Sequence, residues 1–211
     1  MKVVSVNRGE AQVVKWQGKD VETGIFKYSV DEPIALGATD VLHDNVMDRK
    51  HHAGVDKAVY TYGLNCYAYW KEKYPELDWQ LGMFGENLTI DELDEFKILV
   101  GNIYRVGDAE VQVCQPRQPC FKLGIRFNTQ GVLKEFINSP YPGIYFRVLK
   151  PGKVAKGDIF QLFKEENASP TILEVYALMF HKIKDRALME KALECEFLPE
   201  KCKKSMVKMQ V

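Results

Sequence analysis

The chain contains no Cys-x-x-Cys pair, and its five cysteines (Cys66, Cys114, Cys120, Cys195 and Cys202) follow no disulfide-like spacing. Thioredoxin-like redox centres and zinc ribbons both depend on that pair, so neither is expected. An odd set of unpaired cysteines suits a reducing compartment, and the expectation is a cytoplasmic protein. Neither sign of charge is in excess: Lys+Arg and Asp+Glu both number 29. No global field then favours nucleic acid or an anionic membrane, although a local basic pocket is still allowed. No apolar run approaches the length of a membrane span. The first residues, Met1-Lys2-Val3-Val4-Ser5-Val6-Asn7, alternate like a strand and lack the apolar core of a signal peptide. Internal repeats and low-complexity tracts are also missing.

What is present is enough apolar residue, 46% over 211 positions, to build a core in one large domain or in a domain with an appendage. Apolar alternation bounded by Gly and Pro predicts strands over 3–6, 12–16, 23–28 and 31–36. The Asp- and His-rich stretch 40–54 reads as a loop. Residues 56–62 hold a β-rich run, 64–74 have helical spacing ended by Pro75, and 82–89 form a glycine-bearing turn into a strand. Residues 98–104 and 109–114 predict a hairpin across Val106-Gly107-Asp108. Val132, Leu133, Phe136 and Ile137 mark a short helix, and strands return at 145–149 and 159–163. Many short strands between turns predict a mainly β fold, a closed or nearly closed barrel with a few interspersed helices rather than a doubly wound sheet.

The composition changes after Glu165. Ser169-Pro170 predicts a helix start, with Ser169 as N-cap and Pro170 at the first position. Ile172, Val175 and Met179 give one apolar stripe, Leu188, Ala192 and Leu193 a second, and a third helix is expected near Pro199. The division expected is a barrel over 1–165 and a helical extension over 166–211. The extension suits packing on the barrel or a homodimer, and the pattern alone does not choose. Cys66 falls on a helical stretch and reads as packing, while Cys195 and Cys202 read as packing or exposed thiols rather than ligands.

One stretch carries chemistry: Gln115-Pro116-Arg117-Gln118-Pro119-Cys120-Phe121-Lys122. The strand 109–114 puts Ala109, Val111 and Val113 on one face. Pro116 and Pro119 each fix their own φ and push Gln115 and Gln118 toward extended conformations. The strand is therefore expected to end in a stiff, non-helical loop with Cys120 at its tip. Arg117 and Lys122 bring positive charge, which favours thiolate over thiol and makes Cys120 the candidate nucleophile or soft-metal ligand. Spacing alone is equally compatible with a structural cysteine packed on a proline turn. Cys114, at the strand end, reads as structural.

These residues resemble the cysteine motif of the MOSC domain family, named after the C-terminal domain of molybdenum cofactor sulfurase, and in particular its YiiM-like branch. The likeness runs in order through Thr23-Gly24-Ile25-Phe26-Lys27, His52-Ala53-Gly54-Val55-Asp56-Lys57-Ala58-Val59-Tyr60, Gly85-Glu86-Asn87-Leu88-Thr89, the 116–122 loop and Lys156-Gly157-Asp158. Several motifs in order are more specific than any one. The family usually reads His-Gly-Gly where this chain has His52-Ala53-Gly54, and a positive φ at Ala53 would be strained.

The resemblance implies a MOSC-type barrel with a three-helix extension that binds the molybdenum cofactor, a molybdopterin. Cys120 would be the metal ligand, since soft thiolates suit a metal already held by dithiolene sulfur. Arg117, Asn87, Lys57, Lys27 and Gln115 would contact the cofactor. Arg117 has the planar fork that suits phosphate, and the Asn87 amide suits a pterin edge. His52 and Asp56, with His51 beside them, would act as proton donors or supporting groups near the metal. The activity implied is an oxidoreductase reducing N-hydroxylated compounds such as 6-hydroxylaminopurine, a detoxification of N-hydroxylated bases. No flavin, haem or iron–sulfur motif stands in the chain, so an external electron donor is expected. Two rivals use the same residues: a sulfur carrier with a persulfide on Cys120, and a barrel that stores the pterin.

Overall fold

The computed structural model describes residues 1–44, 54–181 and 183–210. Its main sheet has eight strands: β1 Val3–Gly9, β4 Lys27–Val30, β6 Val59–Gly63, β7 Leu88–Ile90, β8 Ile103–Val106, β9 Ala109–Pro116, β10 Ile144–Lys150 and β12 Gln161–Lys164. They lie in the order β12-β8-β9-β10-β6-β7-β1-β4. Every pairing is antiparallel except β6 with β7. Two further pairs stand apart, β2 Gln12–Trp16 with β3 Lys19–Thr23, and β5 Ile34–Leu36 with β11 Gly152–Val154. The sheet curls so that the start of β1 comes beside the segment leading into β12. Val3 N–H donates to Asp158 O at 2.8 Å, and Phe160 N–H donates to Met1 O at 2.9 Å. The result is a strand-rich, curled half-barrel, consistent with the mainly β fold with interspersed helices expected from many short strands.

Among the described residues six helices accompany it. α1 Leu64–Lys73 turns Cys66, Tyr67 and Trp70 inward and stops at Tyr74, because the residue before Pro75 is driven out of the helical region. α2 Phe121–Arg126 and α3 Gly131–Asn138 follow the cysteine loop. α4 Ile172–Phe180, α5 Arg186–Glu194 and α6 Glu200–Gln210 form the extension. No helix among the described residues is long and apolar enough to cross a membrane.

Several local expectations shift. The stretch 23–28 splits between the end of β3 and the start of β4. Residues 98–102 stay outside β8: Ile98 O accepts from Ile172 N–H at the start of α4 at 3.0 Å, while Gly101 N–H donates to Val113 O of β9 at 2.9 Å. The helix begins at Thr171, not Ser169. The Thr171 hydroxyl accepts from Glu174 N–H at 3.1 Å, and the Glu174 carboxylate accepts from Thr171 N–H at 2.7 Å. That reciprocal box needs an acid three residues on, which Thr171 has and Ser169 lacks. Ser169 is buried against Cys195, 3.5 Å between their side-chain atoms.

Two packed cores result. The aliphatic one fills the barrel with Val3, Val6, Ile90, Val100, Val111, Val113, Ile144 and Phe146. It continues without a break into Ile172, Val175, Leu178, Met179, Ala192, Leu198 and Met206 of the extension. The aromatic one, Tyr60, Tyr62, Tyr67, Trp70, Phe84, Phe127 and Phe136, lies under α1, α2 and α3. The face of β6 carrying Tyr60 and Tyr62 forms the floor of this second core, and the candidate site is built there.

Candidate functional site

β9 runs through Pro116, whose partner on β10 is Ile144. The chain then leaves the sheet for four residues before α2. This corrects the wholly non-helical loop expected: Cys120 is extended, at φ −128° and ψ 164°, and directly precedes the first turn of α2. The proline constraints end at Pro119, and Phe121-Lys122-Leu123 are free to wind with Leu123 buried. Cys120 is half-buried, whereas Cys66, Cys114, Cys195 and Cys202 are all buried.

Arg117 is buried, at 5% exposed. Its guanidinium donates to Phe84 O and lies over the Tyr60 ring at 4.8 Å and the Phe136 ring at 5.7 Å. Tyr60 is held by its own hydroxyl, which donates to Pro142 O at 2.9 Å. Burial opposes the Arg117 charge, yet the neighbouring Tyr60, Tyr145 and Cys120 together raise its pKa above the ordinary arginine value. Its partners among the described residues thus include a carbonyl, the Tyr60 hydroxyl and two aromatic faces. A buried cation so placed retains donor capacity for an anion.

Lys57 closes the third side. It ends a 3-10 turn, Val55–Lys57, and its ammonium lies 5.7 Å over the Tyr145 ring. Burial lowers its pKa, with help from the charge of Lys201 on α6, while Cys202, Cys114 and Cys120 act in the opposite direction. The turn is pinned from below. Gln115 donates its amide to Asp56 O at 3.1 Å, and the Asp56 carboxylate accepts from Arg147 at 2.6 Å. Cys114 lies beside that ion pair, 3.9 Å from Asp56, fully buried, and burial pushes its thiol pKa up. It is a packed thiol, unlike Cys120.

A second polar cluster backs the first. Asp44 accepts from Gly9 N–H at 2.9 Å, from the Asn87 amide at 2.8 Å and from the Lys27 ammonium. Asn87 in turn accepts from Tyr60 N–H at 3.3 Å, so its side chain couples the cluster to the strand that carries the Arg117 platform. Glu86, next in the motif, is wholly inside. Its carboxylate accepts from Gly82 N–H at 3.0 Å, Phe84 N–H at 3.1 Å, the Thr89 hydroxyl at 2.8 Å and the Tyr67 hydroxyl. It ties the loop that presents Phe84 O to Arg117. Gly82 there has φ +87° and packs against the Lys27 carbonyl so closely that a Cβ would fall 2.6 Å from its oxygen, so only glycine fits.

The structure therefore brings Cys120, Arg117 and Lys57 together, places Asp56 and Gln115 beneath them as supports, and sets Lys27 with Asn87 in the adjoining cluster. His52, with His51 and Ala53, lies outside the described residues. Sequence reasoning missed Tyr60, Tyr145 and Asp44. Tyr145 stands opposite Tyr60 on one side and Gln115 on the other, a register that only three paired strands reveal. Among the described residues no three His, Cys, Asp or Glu side chains gather as a metal cage. A single half-exposed thiol beside a buried guanidinium instead fits a metal that brings its own sulfur ligands together with an anionic group.

Comparisons with known proteins find likenesses that together run over most of the chain. The family model for the MOSC domain matches residues 48–161, and that for the YiiM-like, 3-alpha helix domain matches 170–209. YflK of Bacillus subtilis (strain 168) is 32% identical over 206 residues, 98% of this chain and 93% of that protein. A protein named "Reductase" from Gibberella moniliformis (strain M3125 / FGSC 7600) is 35% identical over 161 residues, 75% of this chain but 28% of that longer protein. The crystal structure of YiiM from Geobacillus stearothermophilus superimposes with a TM-score of 0.82 at 29% identity, covering 100% of this chain and 99% of that one.

Proposed function

This chain belongs to the MOSC domain family and carries its YiiM-like three-helix domain, and on that premise we propose that it is a molybdenum cofactor-dependent oxidoreductase that reduces N-hydroxylated compounds, 6-hydroxylaminopurine among them. The observation that carries the proposal is the contrast among the cysteines: Cys120 alone is open to solvent, and it sits beside the buried, cationic Arg117. The relative named "Reductase" supports the reaction class. We take residues 1–165 as the barrel that holds the cofactor and 166–211 as an extension.

In this reading Cys120 is the protein's thiolate ligand and Arg117 binds the cofactor's phosphate with its fork, its orientation held by Tyr60 and Phe84 O. When bound, the cofactor would supply the two-electron redox chemistry for N–O cleavage. Lys57 holds a proton on Nζ over the Tyr145 ring, and its lowered pKa eases release of that proton. Asp56 and Gln115 keep the turn in place, while Asn87 and Lys27, through Asp44, hold the Tyr60 strand. The net change is cleavage of the N–O bond with uptake of two electrons and two protons, leaving an N–H group and water. The electrons come from an external donor.

Exposure of the Cys120 side chain also supports a second reading, a sulfur carrier with a persulfide on that thiol. Metal analysis of protein made in a cofactor-competent host separates the two. The reductase reading expects molybdenum in the wild type, its loss in Cys120→Ser, and its retention in Cys114→Ser. It also expects Cys120 to resist alkylation until the cofactor is removed, because a metal bond blocks attack on sulfur. Protein without molybdenum, carrying a labile persulfide and inert toward N-hydroxylated purines, would establish the carrier instead.

A further inference from the structure

The extension has one face that the proposed site does not use. α6 bears Lys201, Lys203, Lys204 and Lys208 against a single acid, Glu200, in a chain whose Lys+Arg and Asp+Glu totals are equal. Cys202 and Met206, four residues apart, are buried and fix the helix on its inner side. Lys201, Lys204 and Lys208, at spacings of three and four, therefore share the exposed side. Between α5 and α6 lies a groove of about 460 Å³ lined by Leu193, Glu200, Lys203, Lys204, Val207 and Lys208. Val207 is 47% exposed there, and Lys203 is folded back toward Glu200 at 3.7 Å. The groove has an apolar floor and a basic rim. Its helix also reaches the site, since Lys201 is close enough to Lys57 for the two charges to oppose each other, and Lys57 lies within electrostatic range of Cys120.

We infer that the α6 face is the docking surface for an acidic flavoprotein that delivers electrons to the site beside Cys120. The inference rests on the reductase reading, which requires an outside donor. For each N–OH group reduced, the reduced flavin gives up two electrons and is oxidised, the N–O bond breaks, and two protons complete the N–H group and water. A basic rim steers an acidic partner and sets a salt-dependent encounter, while the small apolar floor adds attraction without permanence. A charge-balanced molecule gains that steering only where lysines are concentrated, and α6 is such a place.

The test compares the wild-type holo-protein with the double variant Lys204→Glu/Lys208→Glu, using flavodoxin as the acidic probe. Binding of oxidised flavodoxin is titrated at low and high salt. Turnover of an N-hydroxylated purine is then driven either by reduced flavodoxin or by dithionite-reduced methyl viologen. The inference expects salt-sensitive binding to the wild type, weakened at least ~10-fold in the variant, with flavodoxin-driven turnover falling in step and viologen-driven turnover unchanged. Equal flavodoxin binding by both proteins would overturn it. So would tighter binding of duplex DNA or of phosphatidylserine vesicles than of flavodoxin by the same face, or an equal fall with viologen, which would mark α6 as merely structural. If viologen supports no turnover while the binding difference persists, the reductase reading fails and electron delivery falls with it, leaving α6 only as a surface that binds an acidic protein.

Discussion

Removal of the helical extension is the perturbation that most directly probes how this molecule is held together. A chain ending at Glu165 keeps every strand of the barrel. It loses Ile172, Val175, Leu178, Met179, Leu198 and Met206, all of them 2% exposed or less and all packed in the aliphatic core that fills the barrel. Burying a side chain of this size stabilises by about 1.5–3 kcal/mol. A share of that burial is among the helices themselves, so roughly half of the total, about 4.5–9 kcal/mol, is stabilisation that the barrel itself forfeits. Backbone partners go too: Val100 N–H loses Pro170 O, and the Glu95 and Ile98 carbonyls lose Leu173 and Ile172 N–H. Against a usual domain stability of about 5–15 kcal/mol, the fragment is expected to be unfolded or aggregated near room temperature. Circular dichroism with urea titration of fragment 1–165 beside the full chain reads this directly. A soluble fragment with a cooperative transition at the full-length midpoint would refute the shared-core argument and make the extension an independent module.

Three further outcomes follow from individual side chains. Arg117→Ala should lower cofactor occupancy, measured as molybdenum per protein, more than Arg117→Lys does, since lysine keeps the charge but loses the fork; equal occupancy in the alanine variant would remove Arg117 from the anchor. Glu95 is buried, and burial, with repulsion from Asp94, raises its pKa to about 7. Because the folded state then holds a proton that the unfolded state has released, stability falls as pH rises from about 4.5 to about 7, by roughly 3 kcal/mol. Glu95→Gln keeps an acceptor for Gly143 N–H, at 3.2 Å in the wild type, and should flatten that slope; matching urea midpoints against pH in both proteins would contradict it. Thr171→Ala should cost about 1 kcal/mol through loss of the α4 capping box, read as a drop in urea midpoint, whereas Ser169 makes no cap and Ser169→Ala tests only its packing on Cys195.

The features determined by the sequence alone are those whose causes are local. Alternation over a few residues is enough to place strands such as Gln12–Trp16, because each side-chain direction depends only on its neighbours. Prolines at 116 and 119 fix their own dihedrals, so an extended lead into Cys120 is legible, and the ordered motifs carry the family. What the tertiary structure decided depends on partners far apart in the chain. The Thr171 cap rather than Ser169 followed from Glu174 and from the pull of residues 95–98 on the helix start. Lys27 and Asn87 meet at Asp44 only because β1, β4 and β7 lie side by side. Tyr145 stands over Lys57 because β10 pairs with both β6 and β9, and no pattern within one strand records that register. Cys114 and Cys120 are chemically identical six residues apart. Burial separates them, and burial is a property of the whole fold.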